Sequence, residues 1–186
     1  MEKREKFSSL IIFLFFIILL SWVILQFLGP VFVPNNTIND LSGLTGISDN
    51  DKIIEKIPFP FNLVYSLGDR LCHQNAQRSF FINGNQMPFC SRCTAIWLGL
   101  TIGLGFMIFY KIEFDKKFFI LIIIGIFPIA VDGIGQLLHL WESTNIIRLI
   151  TGLLAGIITG LAIGIIFDEI KEIRILKKQQ LINKMK

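Results

Sequence analysis

Charged residues are scarce in this chain of 186 residues. Asp, Glu, Lys and Arg make up 17% of the sequence, against 53% hydrophobic residues and a mean hydropathy of +0.63. Soluble domains carry about 25% charged residues, so the composition argues against a soluble globule and favours a membrane protein. Basic residues and stacking aromatics do not combine into one face, which excludes nucleic acid as a partner.

The common sequence motifs of catalysis are also missing. The chain has no glycine-rich nucleotide loop, no Ser-His-Asp order and no H-E-x-x-H helix. Cysteine and histidine are rare, with three and two residues respectively. What the sequence does have is a set of long apolar runs and a close grouping of those rare residues.

Four apolar runs are long enough to cross a bilayer core, which takes about 17–25 residues. They predict transmembrane helices at about residues 7–28, 94–110, 118–140 and 146–167. The first run is longer than the core of a signal peptide and lacks a small-residue cleavage site, so we interpret it as an uncleaved anchor. The predicted fold is an all-α integral membrane bundle of four helices, forming a single domain over residues 1–186.

A long polar loop, residues 29–93, separates the first two spans. Its turn-forming residues predict one short helix near Asp49–Lys56 and a tight turn at Asn83-Gly84. The apolar stretch Phe59–Leu71 is too short to cross the membrane. We interpret it as an interfacial helix or a re-entrant segment.

Cations are unevenly distributed along the chain. Of the 18 Lys and Arg residues, twelve lie in the amino tail, in the loop 111–117 and in the charged tail 168–186. The positive-inside rule places those three segments in the cytoplasm. We therefore predict a multi-pass protein of the cell membrane with both termini and the tail 168–186 cytoplasmic, and with the loop 29–93 extracytoplasmic.

Small residues recur every fourth position in two of the spans. The fourth span has Gly152, Gly156, Gly160 and Gly164, and the second has Ala95, Gly99 and Gly103. This spacing predicts helices that approach closely. The partner helix could belong to the same chain or to a second copy, so a homo-oligomer is one candidate arrangement.

All three cysteines fall within the stretch Cys72–Cys93. It reads Cys-His, then a turn, then Cys-x-x-Cys directly before the second span. Soft ligands grouped this closely predict either a metal site or a thiol redox site.

Polar side chains also occur in the third and fourth spans. Asp132, Gln136 and His139 are spaced to share one helical face, and a carboxylate in the membrane costs on the order of 2.5–3.5 kcal/mol. Glu142 and Arg148 follow closely. The predicted topology brings all of them to the outer face, beside the cysteines. An alternative is that Asp132 and Arg148 form a buried pair that only fixes helix register.

These segments resemble a known family. The runs CHQ, RSFF, G-x-Q-x-P-x-C-x-R-C-T, D-G-x-x-Q and E-S-T-N-x-x-R-L-x-T-G, in that order, are similar to a family of small predicted membrane proteins, domain of unknown function 2085. The resemblance covers about Leu71 to Gly156. It implies an integral membrane protein of unassigned activity and supplies no reaction.

The leading hypothesis is a metal site, with zinc as the metal. Zinc takes tetrahedral sulfur and nitrogen ligands, which Cys72, His73, Cys90 and Cys93 would supply, with His139 as another candidate for the fourth ligand. A closed site would be structural. An open site would activate water for an enzyme acting on a lipid or quinone-like substrate, with Asp132, His139 and Glu142 as candidate catalytic residues.

Other functions remain open at this point. Cys90 and Cys93 could form a quinone-coupled redox pair with Cys72 as exchange partner, or the thiols could be inert or form a structural disulfide. The glycine ridges would also suit a non-catalytic assembly protein. Five polar residues are candidates to bind an anionic ligand: Arg78, Arg92, Gln136, Asn145 and Arg148.

Overall fold

A computed structural model describes residues 2–3 and 10–185 of the chain. The elements in chain order are β1 (Glu2–Lys3), α1 (Leu10–Phe32), α2 (Asp51–Ile54), α3 (Phe61–Leu71), a 3₁₀ turn (Ala76–Arg78), β2 (Ser79–Ile82), β3 (Asn85–Cys90), α4 (Ser91–Phe109), β4 (Tyr110–Lys111), α5 (Lys116–Leu137) and α6 (Asn145–Met185). Helices α1, α4, α5 and α6 are long and apolar enough to cross a membrane. The predicted membrane bundle of four helices is confirmed.

The helix ends differ from the predicted spans at several points. The predicted start of the first span at residues 7–9 lies outside the described residues, as do the cations Arg4, Lys6 and Lys186. Helix α5 ends at Leu137 because His139 has a left-handed backbone with φ of 57°. Helix α6 runs on to Met185, so the segment predicted as a charged tail is helical. That segment contains neither glycine nor proline, the two residues that most disfavour a helix.

Helices α4 and α6 form the centre of the bundle, where their small-residue ridges face each other. A Cβ at Gly99 would lie 3.0 Å from the Cα of Gly156, and one at Gly103 would lie 3.1 Å from the Cα of Gly160. Backbones this close exclude any side chain. The two ridges therefore pack against each other within one chain, and neither is free to pack against a second copy of the protein.

The other two spans pack on the outside of this central pair, α1 against α4 and α5 against α6. Side chains from all four helices share a core of Ile12, Leu104, Met107, Phe118, Ile158, Leu161 and Ile165. The remaining surfaces of the helices carry exposed Phe, Ile and Leu, as expected for helices in contact with lipid.

The loops lie at two opposite ends of the bundle. At one end β1 pairs antiparallel with β4, and Lys111 Nζ lies 2.5 Å from Glu172 Oε1 on α6. The amino terminus, the loop after α4 and the carboxyl half of α6 therefore lie together. Residues 33–90 and 138–144 lie at the opposite end, and all three cysteines belong to that end or to the helix turn that adjoins it.

Residues 33–90 fold into an ordered cap with a core of its own, formed by Val33, Ile38, Leu41, Ile54, Ile57, Phe61 and Tyr65. The predicted short helix is present as α2. The apolar stretch before the cysteines forms α3, which packs on α1 and β3. The buried Asn85 amide ties the cap to α1, because its Nδ2 donates to the Pro30 carbonyl at 3.0 Å while its Oδ1 accepts the Ile38 N–H at 2.9 Å.

A β-hairpin connects the cap to α4. Strands β2 and β3 pair antiparallel around the two-residue turn Asn83-Gly84, where both residues have positive φ, as a type I′ turn requires. The turn was predicted, but the strands were not. All residues of β3 up to Phe89 are buried, so β3 shows no alternation of buried and exposed positions, and it contains Pro88, which usually argues against a strand.

Candidate metal centre

The three cysteine thiols meet where the cap joins α4. Cys72 follows the last turn of α3, Cys90 ends β3 and precedes α4, and Cys93 lies in the first turn of α4. Their sulfur atoms all lie within 4.8 Å of one another, and all three are free thiols. The backbone N–H of Cys90 points at the Cys72 sulfur at 3.5 Å. The cluster is close enough to hold a metal ion.

Two buried glutamines hold the chain in the shape that brings the sulfurs together. Gln74 adopts positive φ directly after the Cys72-His73 pair, and its Nε2 donates to the Pro88 carbonyl at 2.7 Å. Gln86 Nε2 donates to the Gln74 carbonyl at 2.5 Å. Any side chain at Gly68 would clash with the Pro88 carbonyl. These contacts hold the end of α3 against Pro88 of β3, which lies two residues before Cys90 in the sequence.

Hydrogen bonds within the cluster separate the acidities of the thiols. The pKa of Cys90 is held well below its ordinary value, because the Cys72 side chain and then that of Cys93 hydrogen-bond to its thiolate. Backbone N–H groups at the start of α4 add to this effect. The pKa of Cys72 is raised, chiefly because its thiol hydrogen-bonds to Cys90, and burial raises it further. Hydrogen bonds within the cluster therefore stabilise a thiolate.

A cavity of about 190 Å³ opens beside the sulfurs. It is lined by Thr45, Leu71, Cys72, His73, Asn75, Arg78, Cys90, Arg92, Cys93, Gln136 and Arg148. Three arginines from three different segments thus border the thiols: one lies in the 3₁₀ turn, one in α4 and one in α6. This convergence of the cysteines with the polar ends of α5 and α6 is what the predicted topology required.

Asp132 is the acidic partner in this region, and it pairs with Arg92. The alternative pairing with Arg148 is not the one formed. The Asp132 carboxylate also accepts a hydrogen bond from Ser143 Oγ at 3.0 Å, and Trp141 Nε1 lies 3.5 Å away. Asp132 is 4% exposed. Its oxygens accept hydrogen bonds from Arg92, Ser143 and Trp141, and Asp132 is not among the residues that line the cavity beside the sulfurs.

Arg148 and Arg78 converge on one neutral side chain. The Gln136 amide satisfies its neighbours when it is oriented with its oxygen toward the two arginines. In that orientation the oxygen accepts a hydrogen bond from Arg148 at 2.9 Å and from Arg78 at 3.0 Å. Asn145 Oδ1 accepts a third bond from Arg148 Nη1 at 3.1 Å, and it also accepts the Ser91 hydroxyl at 3.1 Å. Asn145 therefore connects the start of α6 to the start of α4.

The two histidines lie in different places. His73 is exposed on the rim of the cavity, with its Nδ1 3.4 Å from the Gly43 carbonyl oxygen, and its ring is outside the tight sulfur cluster. His139 was predicted to share a helical face with Asp132 and Gln136, but α5 ends before it. It lines a second cavity of about 400 Å³ with Glu142, away from the sulfurs.

Two tryptophans near the site, and the hydrogen bond of Ser143, were not predicted from the sequence. Trp141 lines the second cavity and approaches Asp132, and Trp22 of α1 packs against the core that contains Cys72. Neither residue stands in a pattern that marks it in the sequence, since single tryptophans near a membrane surface are common. Ser143 was part of a recognisable motif, but nothing in its spacing identified Asp132 as its acceptor.

The family comparison covers the part of the chain that builds this site. The family described as "Predicted membrane protein (DUF2085)" matches residues 72–163. An uncharacterised protein of Methanothermobacter thermautotrophicus is 36% identical over 93 residues, a stretch covering 50% of this chain and 82% of that protein. The chain belongs to the DUF2085 family. The matched region of this DUF2085 protein contains all three cysteines and the three cavity arginines.

The remaining comparisons do not assign an activity to this DUF2085 protein. An uncharacterised protein of Methanocaldococcus jannaschii is 44% identical over 97 residues, which cover 50% of this chain and 59% of that protein. The chain thus spans less than two thirds of that relative. No solved structure gives a significant match.

Proposed function

We propose that this protein binds a soft divalent metal ion, with zinc the best fit, through the thiolates of Cys72, Cys90 and Cys93. The observation that carries the proposal is the approach of all three sulfurs to within 4.8 Å of one another. Zn–S bonds of about 2.3 Å in tetrahedral geometry separate two sulfurs by about 3.8 Å. A shift of about 1 Å in the thiol rotamers would therefore suffice.

The charges around the cluster support the same proposal. Three thiolates and one divalent ion carry a net charge of −1, which would be costly to bury near a membrane without compensation. Arg78, Arg92 and Arg148 border the sulfurs and supply positive charge. The lowered pKa of Cys90 helps metal binding as well, since thiolates rather than thiols are ligands.

The number of ligands suggests what kind of metal site this is. Among the described residues, the tight cluster contains three sulfurs and no fourth ligand atom. Structural zinc sites are closed by four protein ligands, whereas sites with three keep a position for water or substrate. His73 lies on the rim of the same cavity and is the candidate for a closing ligand. We favour the open site, with its free position directed at the cavity.

We propose more specifically that the protein is an enzyme that acts on a lipid-like substrate at this metal site. Glu142 and His139 line the second cavity, which shares Arg78 and Gln136 with the first. They would be the acid and base of such a reaction. Asp132 is better suited to positioning Arg92, because its oxygens already accept hydrogen bonds from three side chains.

Elemental analysis of the purified protein tests the metal. We expect about one zinc per chain in wild type, a loss of most of it in Cys93→Ser, and no change in His139→Ala, the matched control. His73→Ala separates the closed site from the open one: a closed site loses metal affinity, whereas an open site keeps it. Metal-free wild-type protein that takes up neither Zn²⁺ nor Co²⁺ would overturn the proposal.

A second candidate function is thiol–disulfide exchange coupled to a membrane quinone. The observation that favours it is that three free thiols lie together at the start of a transmembrane helix. Cys90 and Cys93 would form a disulfide and pass two electrons and two protons to the quinone, giving the quinol, with Cys72 exchanging next. Alkylation after incubation with a soluble quinone distinguishes the two functions. A fall from three labelled thiols to one in zinc-free protein supports the redox function, and three labels throughout exclude it.

A further inference from the structure

Arg148 is a buried cation without an acidic partner in the part of the chain that the structure describes. Its residue is 5% exposed, and its hydrogen bonds go to the neutral amides of Asn145 and Gln136. Among the described residues, no carboxylate lies within ion-pair distance of it. A buried guanidinium normally requires a negative partner, because loss of hydration is otherwise not compensated.

Two more guanidinium groups lie in the same cavity. Arg78 reaches the same Gln136 oxygen as Arg148, so two like charges are held close together with only an amide between them. Arg92 has a carboxylate partner in Asp132, yet its Nε is buried and has no hydrogen-bond partner among the described atoms. Asp132 balances one of the three cations, and the proposed metal–thiolate cluster would balance a second. One positive charge and at least one unused donor remain.

The depth of the cavity indicates which anions can reach it. Arg92 lies in the first turn of α4, Gln136 in the last turn of α5 and Arg148 in the first turn of α6. Those turns are the ends of transmembrane helices, the level at which lipid headgroups lie. Leu71, which is 59% exposed, lines the same cavity and offers an apolar contact beside the charged one.

We propose that this cavity binds the phosphate group of an anionic membrane amphiphile, held by Arg78, Arg92 and Arg148. Guanidinium groups bind phosphate oxygens through paired, charge-assisted hydrogen bonds. Three guanidinium groups offer N–H donors from three sides, which matches the three terminal oxygens of a phosphate monoester better than the two oxygens of a carboxylate. This inference extends the proposed function, because the phosphate would share its cavity with the metal.

The test uses calorimetric titration of the full chain in an uncharged detergent. The probes are dihexanoyl phosphatidic acid, inorganic phosphate and dihexanoyl phosphatidylcholine. We expect phosphatidic acid to bind, and Arg78→Gln to weaken it about tenfold or more. Arg78 is exposed, so this variant should fold. The matched control is Arg70→Gln, another exposed arginine of the cap, whose Nε donates to Ser48 Oγ; it should leave the affinity unchanged.

The outcomes separate the sources of the phosphate. Stronger binding of phosphatidic acid than of inorganic phosphate supports a lipid headgroup, and equal binding supports the oxyanion site with free phosphate as its ligand. Binding of phosphatidylcholine as tight as that of phosphatidic acid, or an affinity for phosphatidic acid that Arg78→Gln leaves intact, would overturn the inference.

Measuring the metal content of the same samples keeps the two proposals apart. Cys93→Ser protein that has lost its metal but still binds phosphatidic acid supports two independent ligands in one cavity. Wild-type protein that takes up neither Zn²⁺ nor Co²⁺ yet binds phosphatidic acid normally overturns the metal proposal alone. Wild-type protein with its metal that binds neither phosphate probe overturns the anion proposal alone.

Discussion

Asp132 is a buried carboxylate that serves the arginines of the site more directly than it serves the thiols. It fixes Arg92, whose backbone lies between Cys90 and Cys93 in the sequence, and it accepts the Ser143 hydroxyl from the loop after α5. One side chain of α5 thereby connects the sulfur-bearing turn of α4 to the segment that leads into α6. Its contribution should therefore appear in stability as well as in ligand binding.

We predict that Asp132→Asn lowers the free energy of unfolding by about 2 kcal/mol. The amide leaves the Arg92 charge without its partner, and the cost is below that of a fully buried pair because the Arg92 side chain is 23% exposed. The measurement is SDS-induced unfolding of the detergent-solubilised protein. Glu142→Gln, which alters an exposed carboxylate, is the control and should change stability by less than about 0.5 kcal/mol.

A double-mutant cycle checks that the loss comes from the pair. Arg92→Gln combined with Asp132→Asn should cost less than the sum of the two single changes, because both charges are then removed. Strict additivity would show that the ion pair does not contribute to folding.

At this scale the sequence predicted that Gln136 and Arg148 would lie near the cysteines. It predicted neither how the charged groups pair nor that His139 and Glu142 line a second cavity. Helix ends on one membrane side must lie near each other, so the convergence of Asp132, Arg92 and the cysteines followed from topology. The choice of Arg92 over Arg148 depends on rotamers and on Asn145, which takes up one end of the Arg148 side chain. His139 was misplaced because α5 ends at Leu137 and His139 itself has a positive φ, and the end of a helix is difficult to place from the sequence within a few residues.

Among the elements, α4 and α6 depend on each other most closely. Their backbones touch along glycine ridges, and the same two helices carry Cys93, Arg92 and Arg148. A change in the distance between them would therefore alter the cavity as well as the packing.

We predict that Gly156→Ala destabilises the protein by about 2 kcal/mol, although alanine favours helix formation. The new Cβ would clash with the Ile96 carbonyl and would lie 3.0 Å from the Cα of Gly99, and neither backbone atom can move without separating the helices. Gly133→Ala is the matched control, since a Cβ there meets nothing within 4 Å. Equal stability of the two variants in SDS unfolding would contradict the close packing of α4 on α6.

The cap contains secondary-structure elements that were not predicted from the sequence. Long apolar runs identify spans directly, because only a helix can satisfy its backbone in lipid. The cap is held by buried amides such as Asn85 and Gln86, whose partners lie up to 55 residues away. Strand β3 contains Pro88 and does not alternate between buried and exposed residues, so its sequence resembles that of a loop. The two strands of the hairpin were therefore identified only from the structure.

For the whole molecule, the distribution of cations leads to a proposal about sidedness. Both described ends of the chain lie at the end of the bundle opposite the cysteines. We propose that this end is cytoplasmic and that the cap and the cysteine cluster are extracytoplasmic.

Reporter fusions test this orientation in a bacterial host. A fluorescent protein attached after Lys186 should fluoresce, and alkaline phosphatase inserted at Gly46, where an added Cβ would meet nothing within 4 Å, should be active. Alkaline phosphatase inserted at Glu113 is the control and should be inactive. The reverse pattern at these three positions would place the cysteines in the cytoplasm.

The ion pair between α4 and α5 also has a consequence for biosynthesis. Arg92 leaves the ribosome 40 residues before Asp132, an interval of roughly 2 to 8 seconds at ordinary translation rates. During that interval the guanidinium at the end of α4 that joins the cap has no carboxylate partner. The third span then brings the matching carboxylate, so we expect these two helices to enter the lipid together rather than one after the other.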